Sequence, residues 1–383
     1  MITRVTISNY RCIGERVQID LDRFTVLVGR NGSGKSSVCD AIGFVSAALR
    51  HGLGPAVEDR NGMAALRRYS AGRPFNVSIR VEVQQEDGSG AYEFILGADK
   101  KSFAVKQERA EWQQGHQTNA FEVRTGKWHL KPPAGLEPVA TTTALVLPAL
   151  AGDPRFSPLA AALTNTALYS IFPVTLQVPQ KPNPSRPMQV HGENWCSILA
   201  GVLKDDGARA DLRSAMAKIT DDIDDVRVRP MGGYLLTQFR HGEVQHQRSA
   251  KPCWFDAAQE SDGTLRMAGM LTALLQDPLP ALLGLEEPEL TIHPGALRVL
   301  VDFLRAAAQR SQLLVTTHSP DLLDHLKPEE VRVVHRTPDG TTVNVMQHRQ
   351  RAQVKKRLRS LGDVLRSEGL QPEGASETLA SGD

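Results

Sequence analysis

A lysine and a serine close the run Gly29-Arg30-Asn31-Gly32-Ser33-Gly34-Lys35-Ser36, which fits the phosphate-binding spacing G-x-x-x-x-G-K-[ST]. Its glycines let the backbone wrap around an anion, and successive N–H groups with a helix N-terminus supply positive potential. Lys35 adds a point charge for β- and γ-phosphates, and the Ser36 hydroxyl, with Ser37 beside it, is placed to ligate Mg2+. A nucleoside triphosphate with Mg2+ is the ligand class this chemistry suits, and the loop alone names nothing finer.

Some 250 residues downstream, an apolar run ends in acid: Leu282-Leu283-Gly284-Leu285-Glu286-Glu287-Pro288-Glu289. The first carboxylate at such a strand end can hold Mg2+ and the second can polarise an attacking water; alone, the same run reads equally as a solvated acidic turn. Val315-Thr316-Thr317-His318-Ser319-Pro320 then sets a histidine just after a buried strand, where open α/β sheets bind ligands. Ser319 and Pro320 suit the cap and first position of the next helix. Ser261-Asp262-Gly263-Thr264 opens another helix, as a plain N-cap or as a second anion-binding surface.

The elements that must position these residues are legible as periodicities. Phe24–Val28 is a short apolar strand, and Val38, Ala41, Ile42, Val45 and Leu49 recur at helical spacing. Before them Val5/Ile7 and Val17/Ile19/Leu21 alternate as two strands. Residues 76–130 alternate as an antiparallel meander. Residues 140–172 are Ala/Leu-rich and helical in part, and prolines 173, 179, 182, 184 and 187 impose an extended connector. Two short helices fill 193–220, and strands return at 226–230, 233–240 and around 244–248. The last third alternates helix (265–275), strand (281–285), helix (from Pro294) and strand (312–315), then strands 331–335 and 341–346 around Pro338-Asp339-Gly340. That alternation predicts a mainly parallel sheet. The expected fold is α/β of P-loop type, a mixed sheet flanked by helices, in segments 1–75, 76–250 (a β-rich and helical insertion), 251–370 and a flexible tail 371–383.

The 383 residues are 41% hydrophobic and 23% charged with net charge +2, so no global field draws nucleic acid or membrane. Cys12, Cys39, Cys196 and Cys253 form no C-x-x-C pair, no stretch approaches a membrane span, and the first residues do not read as a basic-then-apolar leader. A reduced cytoplasmic protein is expected.

The set Asn9-Tyr10-Arg11, GRNGSGKS at 29–36, SDGTLR at 261–266, GLEEPELTIHP at 284–294 and TTHSP at 316–320 resembles the RecF/SMC-like branch of ABC ATPases. Within it the chain is similar to stand-alone AAA-type ATPases related to the ATPase domain of OLD nucleases. The resemblance implies an ATP-dependent homodimer, head to head around two ATPs. It assigns Lys35, Ser36 and the rest of the loop to phosphate and Mg2+, Glu286 to the Walker B metal position, Glu287 to the catalytic base and His318 to the switch. Ser261 and Gly263 become a signature acting in trans, and Arg11 lines the nucleotide's flank. The signature is S-D-G-T and not L-S-G-G-Q, and Gln177 and Gln180 do not fix a Q-loop. Too few residues follow His318 for a Toprim nuclease domain. Resemblance also places such ATPases in DNA repair or antiviral defence, working on DNA or on a separately encoded effector. The alternative is a DNA-processing nuclease of OLD type with its own metal site.

Three weaker signals remain. Asp221-Asp222-Ile223-Asp224-Asp225 contains D-x-D, which invites a metal-site reading, but with no companion acidic motif it reads rather as a solvated acidic helix end. The basic run His348–Arg359 could grip a phosphate backbone but reads rather as an exposed helix face or a docking surface for a protein partner. His241 and His246 read as incidental.

Overall fold

Strand β1 (Ile2–Ser8) turns back on β2 (Val17–Asp20), with Val5 opposite Ile19 and Ile7 opposite Val17, so the alternating apolar side chains fall on one buried face. The turn between them carries Asn9, Arg11 and Arg16 in left-handed conformations. β3 (Phe24–Val28) is buried at every residue and leads through the glycine-rich loop into α1 (Lys35–His51). Short helices α2 (Leu53–Glu58) and α3 (Met63–Leu66) follow. The computed structural model describes residues 1–69, 71–72, 75–98, 103–220, 222–242 and 253–374.

The meander is β4 (Val77–Gln84), β5 (Ser89–Ala98), β6 (Phe103–Gln114), β7 (Gln117–Arg124) and β8 (Lys127–Leu130). β4 pairs with β1, so hairpin and meander form one seven-stranded antiparallel sheet, β2-β1-β4-β5-β6-β7-β8. Helix α1 packs on it through Phe44, whose ring centroid lies 5.9 Å from those of Tyr10 and Phe94. Helices α4 (Leu147–Leu150) and α5 (Ser157–Thr164) complete the segment, with Phe156 edge-on to Phe121.

Two units result: Met1–Thr166 with Pro328–Leu358 and Glu368–Asp383, and Ala167–Lys327 with Arg359–Ser367. The second opens with β9 (Thr166–Tyr169), the short α6 (Pro173–Gln177), α7 (Trp195–Val202) and α8 (Asp206–Thr220). An antiparallel sheet of β10 (Ile223–Met231), β11 (Tyr234–His241) and β12 (Cys253–Asp256) follows. Then come α9 (Asp262–Leu275), β13 (Leu282–Glu286), α10 (Leu297–Ala308), β14 (Gln312–Thr317) and α11 (Pro320–Leu323). β13 and β14 run parallel, Glu286 opposite Thr316.

The chain then returns to the first unit. β15 (Val331–Thr337) pairs in parallel with β3 and antiparallel with β16 (Gly340–Val345), and α12 (His348–Lys355) follows. Helix α13 (Leu361–Ser367) belongs to the second unit.

Several expectations need amending. Thr166–Tyr169 is a strand where Ala/Leu content suggests helix, because Leu168 packs directly over Gly284 of β13. Proline 173 begins a helical turn within the expected connector. The acidic run is a solvated helix end only in part: α8 stops at Thr220 and Asp222 beyond it is exposed, but Asp225 is not solvated, lying buried in β10 and paired with Arg209 and Arg213. Those arginines replace the water that burial removes. Nor is His241 incidental, because its two ring nitrogens lie 2.8 Å from Asp222 and 2.8 Å from Glu260. Burial works against its charge, but the two carboxylates outweigh it and raise the imidazole pKa. The strand expected around 244–248, Asp221, His246 and the tail beyond Gly374 lie outside the described residues.

Candidate functional site

In the first unit the phosphate-loop residues occupy the turn from β3 to α1. Gly32 (φ 75°) and Gly34 (φ 109°) adopt left-handed conformations that L side chains resist. Gly29 and Gly34 are also held by contact. A Cβ on Gly29 would lie 2.3 Å from the Val334 carbonyl oxygen, and one on Gly34 would lie 2.5 Å from Thr341 Oγ1. The hairpin of β15 and β16 thus walls the loop, and Thr341 Oγ1 donates to the Ser33 carbonyl at 2.7 Å. The Lys35 ammonium is buried and donates to the carbonyls of Gly29 (2.9 Å) and Arg30 (3.2 Å). Arg30, Asn31, Gly32 and Ser36 are exposed, and the buried Ser33 hydroxyl has no hydrogen-bond partner. Ser37 Oγ accepts from the Cys12 thiol at 3.2 Å.

This cradle fits a polyphosphate. The loop carbonyls hold the cation, an orphan hydroxyl waits for a partner, and no side chain fills the glycine positions. The Arg11 guanidinium lies 2.8 Å from Asp40 of α1. Asp40 also receives the Tyr10 hydroxyl (2.5 Å) and Arg60 Nε (2.8 Å).

The second unit gathers the other candidates. Glu286 ends β13, and Glu287 follows in a left-handed conformation (φ 44°), unusual for a residue with a side chain. Its N–H donates to the Thr316 carbonyl at 3.0 Å, which turns the carboxylate toward the end of β14. There His318 Nδ1 lies 3.1 Å from Glu287 Oε1. A carboxylate and a histidine in contact at the C-terminal ends of parallel strands can together polarise a water.

Ser261 caps α9, accepting the Thr264 N–H at 3.1 Å. Gly263 has a packing reason, since a Cβ there would lie 2.4 Å from the Thr291 carbonyl oxygen. Helix α9 therefore starts against the turn that follows Glu287. Sequence reasoning did not single out three neighbours. Arg266, on α9, donates to the carbonyls of Glu286 (3.3 Å) and Glu287 (3.1 Å). Burial lowers its pKa, against the attraction of Glu289 and Glu287. Glu289 is buried and accepts from the Thr317 hydroxyl. Burial pushes its carboxyl upward, opposed by that bond, by the N–H groups of Glu289 and His318, and by His318's charge. The signal for all three was position within the quoted motifs, which carried no burial information.

Among the described residues, no group of three or more His, Cys, Asp or Glu is arranged to hold a metal, and no helix is long and apolar enough to cross a membrane.

Comparison with known proteins agrees with the fold. Residues 1–114 match a family model described as "AAA ATPase domain". Residues 217–324 match one described as "AAA domain, putative AbiEii toxin, Type IV TA system". No curated protein matches the chain. Among solved structures, an Smc head bound to the C-terminal winged-helix domain of ScpA aligns with a TM-score of 0.56 at 12% identity, covering 91% of this chain and 99% of that one. The Smc head derived from Pyrococcus furiosus, with an extended coiled coil and bound to the C-terminal domain of ScpA, aligns at 0.54 and 11% identity, covering 94% and 99%. The chain thus carries matches to AAA ATPase domains on the mixed α/β P-loop fold of SMC heads.

Proposed function

We propose that this chain binds and hydrolyses ATP and serves as an ATP-gated dimeric switch. The observation that carries the reading is the phosphate loop itself, with left-handed glycines and a buried Lys35 at the N-terminus of α1. Lys35 and the loop N–H groups bind the triphosphate, and Ser36 with Glu286 are the residues to hold Mg2+. When bound, that ion neutralises phosphate charge. Glu287 takes the role of base toward the attacking water, and His318 orients it. Ser261 and Gly263 of a second copy would complete the site in trans, which makes nucleotide the bond between copies.

For the biological setting, the family description naming a type IV TA system and the ScpA-bound Smc heads favour a partner-controlled role. Resemblance to ATPases of DNA repair and antiviral defence points the same way, with DNA or a separately encoded effector as partner. The OLD-type nuclease alternative would need a carboxylate cluster for its metal, and no observation among the described residues favours one.

Light scattering of Glu287→Gln with and without ATP·Mg2+ tests the switch. A mass that doubles only with ATP supports it. A monomer under saturating ATP contradicts the dimer.

A further inference from the structure

We propose that Glu289, acting through Thr317, is a positioning residue that sets His318 against Glu287. The inference rests on the ATPase reading above and deepens it.

Thr317 Oγ1 accepts the Ser319 N–H at 3.0 Å. A hydroxyl has one proton to give, and here it goes to Glu289 Oε1. Both residues flanking His318 are therefore fixed by the same hydroxyl, while the imidazole between them is 37% exposed. On the other side, Glu289 belongs to the turn that carries Glu287: Leu290 N donates to the Glu287 carbonyl at 3.2 Å and Ile292 N to the Glu289 carbonyl at 3.1 Å. One side-chain bond thus ties together the two backbone segments whose side chains must meet. It is an expensive bond. Glu289 is 8% exposed, so its carboxyl is held out of water. An apolar residue would fill that space at lower cost. The buried Arg266 offsets the charge and grips the same turn through the carbonyls of Glu286 and Glu287. Stability alone does not account for a buried carboxylate here; holding the Glu287–His318 geometry does.

The test uses the full chain with four variants: Glu289→Ala and Thr317→Val, which break the bond, and Glu289→Gln and Thr317→Ser, which keep an acceptor and a hydroxyl. Backbone hydrogen exchange over Val315–Ser319 in protein without nucleotide is the first readout, and kcat with nucleotide affinity the second. The breaking variants are expected to exchange about tenfold faster in that segment. They should also lose between about 10- and 100-fold in kcat, with ATP affinity unchanged. The keeping variants should restore most of both. Unchanged exchange in Glu289→Ala, or Glu289→Gln as impaired as Glu289→Ala, overturns the proposal. A wild-type chain without ATPase activity sinks the parent reading instead, and the exchange readout then judges the strap alone. If Glu289→Ala does not fold, Thr317→Val against Thr317→Ser decides.

Discussion

His318 Nδ1 and Glu287 Oε1 lie 3.1 Å apart, joining the ends of neighbouring parallel strands. The contact engages Nδ1 of the imidazole, so Nε2 is the ring atom to meet a ligand. Replacing His318 by Ala should lower kcat about 100-fold while leaving ATP affinity within a factor of two or so. Steady-state hydrolysis with equilibrium nucleotide binding measures both. Equal loss in affinity would place His318 in binding and not in turnover.

Lys35→Ala should weaken nucleotide binding by at least about tenfold, because a buried ammonium aimed at the loop is removed. Fluorescent-nucleotide titration reads the loss. The variant also abandons two loop carbonyls, so its thermal midpoint should fall slightly.

Gly29→Ala puts a methyl group 2.3 Å from the Val334 carbonyl oxygen. Backbone must shift, at a cost of about 1–3 kcal/mol, and the distorted loop should bind nucleotide poorly. Gly152→Ala meets nothing within 4 Å among the described residues and is the control. Urea unfolding of the pair gives the difference.

Ser261 separates two roles. Aspartate caps helices as well as serine does, so Ser261→Asp should leave stability unchanged, whereas Ser261→Ala should cost about 1 kcal/mol. If Ser261 meets a phosphate in trans, the added negative charge should abolish ATP-dependent dimerisation. A dimer surviving in Ser261→Asp would reduce the serine to its cap.

Glu108 sets a pH dependence. Its carboxylate is buried in β6, and burial pushes its pKa up to about 7, opposed by the N–H groups of Leu147 and Val146 and by the Tyr92 hydroxyl. A raised carboxyl pKa means that the folded chain holds the proton more tightly. Its stabilising contribution is full below the unfolded value near 4.5 and is lost as pH rises through about 7. Roughly 3 kcal/mol is at stake. Urea midpoints should fall between pH 5 and 8, and Glu108→Gln should flatten that slope while lowering stability overall.

Motif spacing made the phosphate loop, the carboxylate pair and His318 legible, because each depends on local backbone geometry that local residues encode. Glu289, Thr317 and Arg266 were not legible, since their importance comes from burial, which only the packed α9, β13 and β14 create. Gly263 shows the same limit. Its role as signature glycine remains a proposal, while its contact with the Thr291 carbonyl appears only in three dimensions. Asp224 and Asp225 were illegible for a related reason: the arginines paired with them come from α8 and β11, not from their own segment.

The wall of the phosphate loop is built by Val334 and Thr341, some 300 residues after Gly29. A nascent chain emerging from the ribosome therefore carries its glycine-rich motif early but lacks one side of the cradle until Thr341 is available. The cradle is thus complete only once residues 334–341 have been added, and a fragment that stops before them lacks that wall.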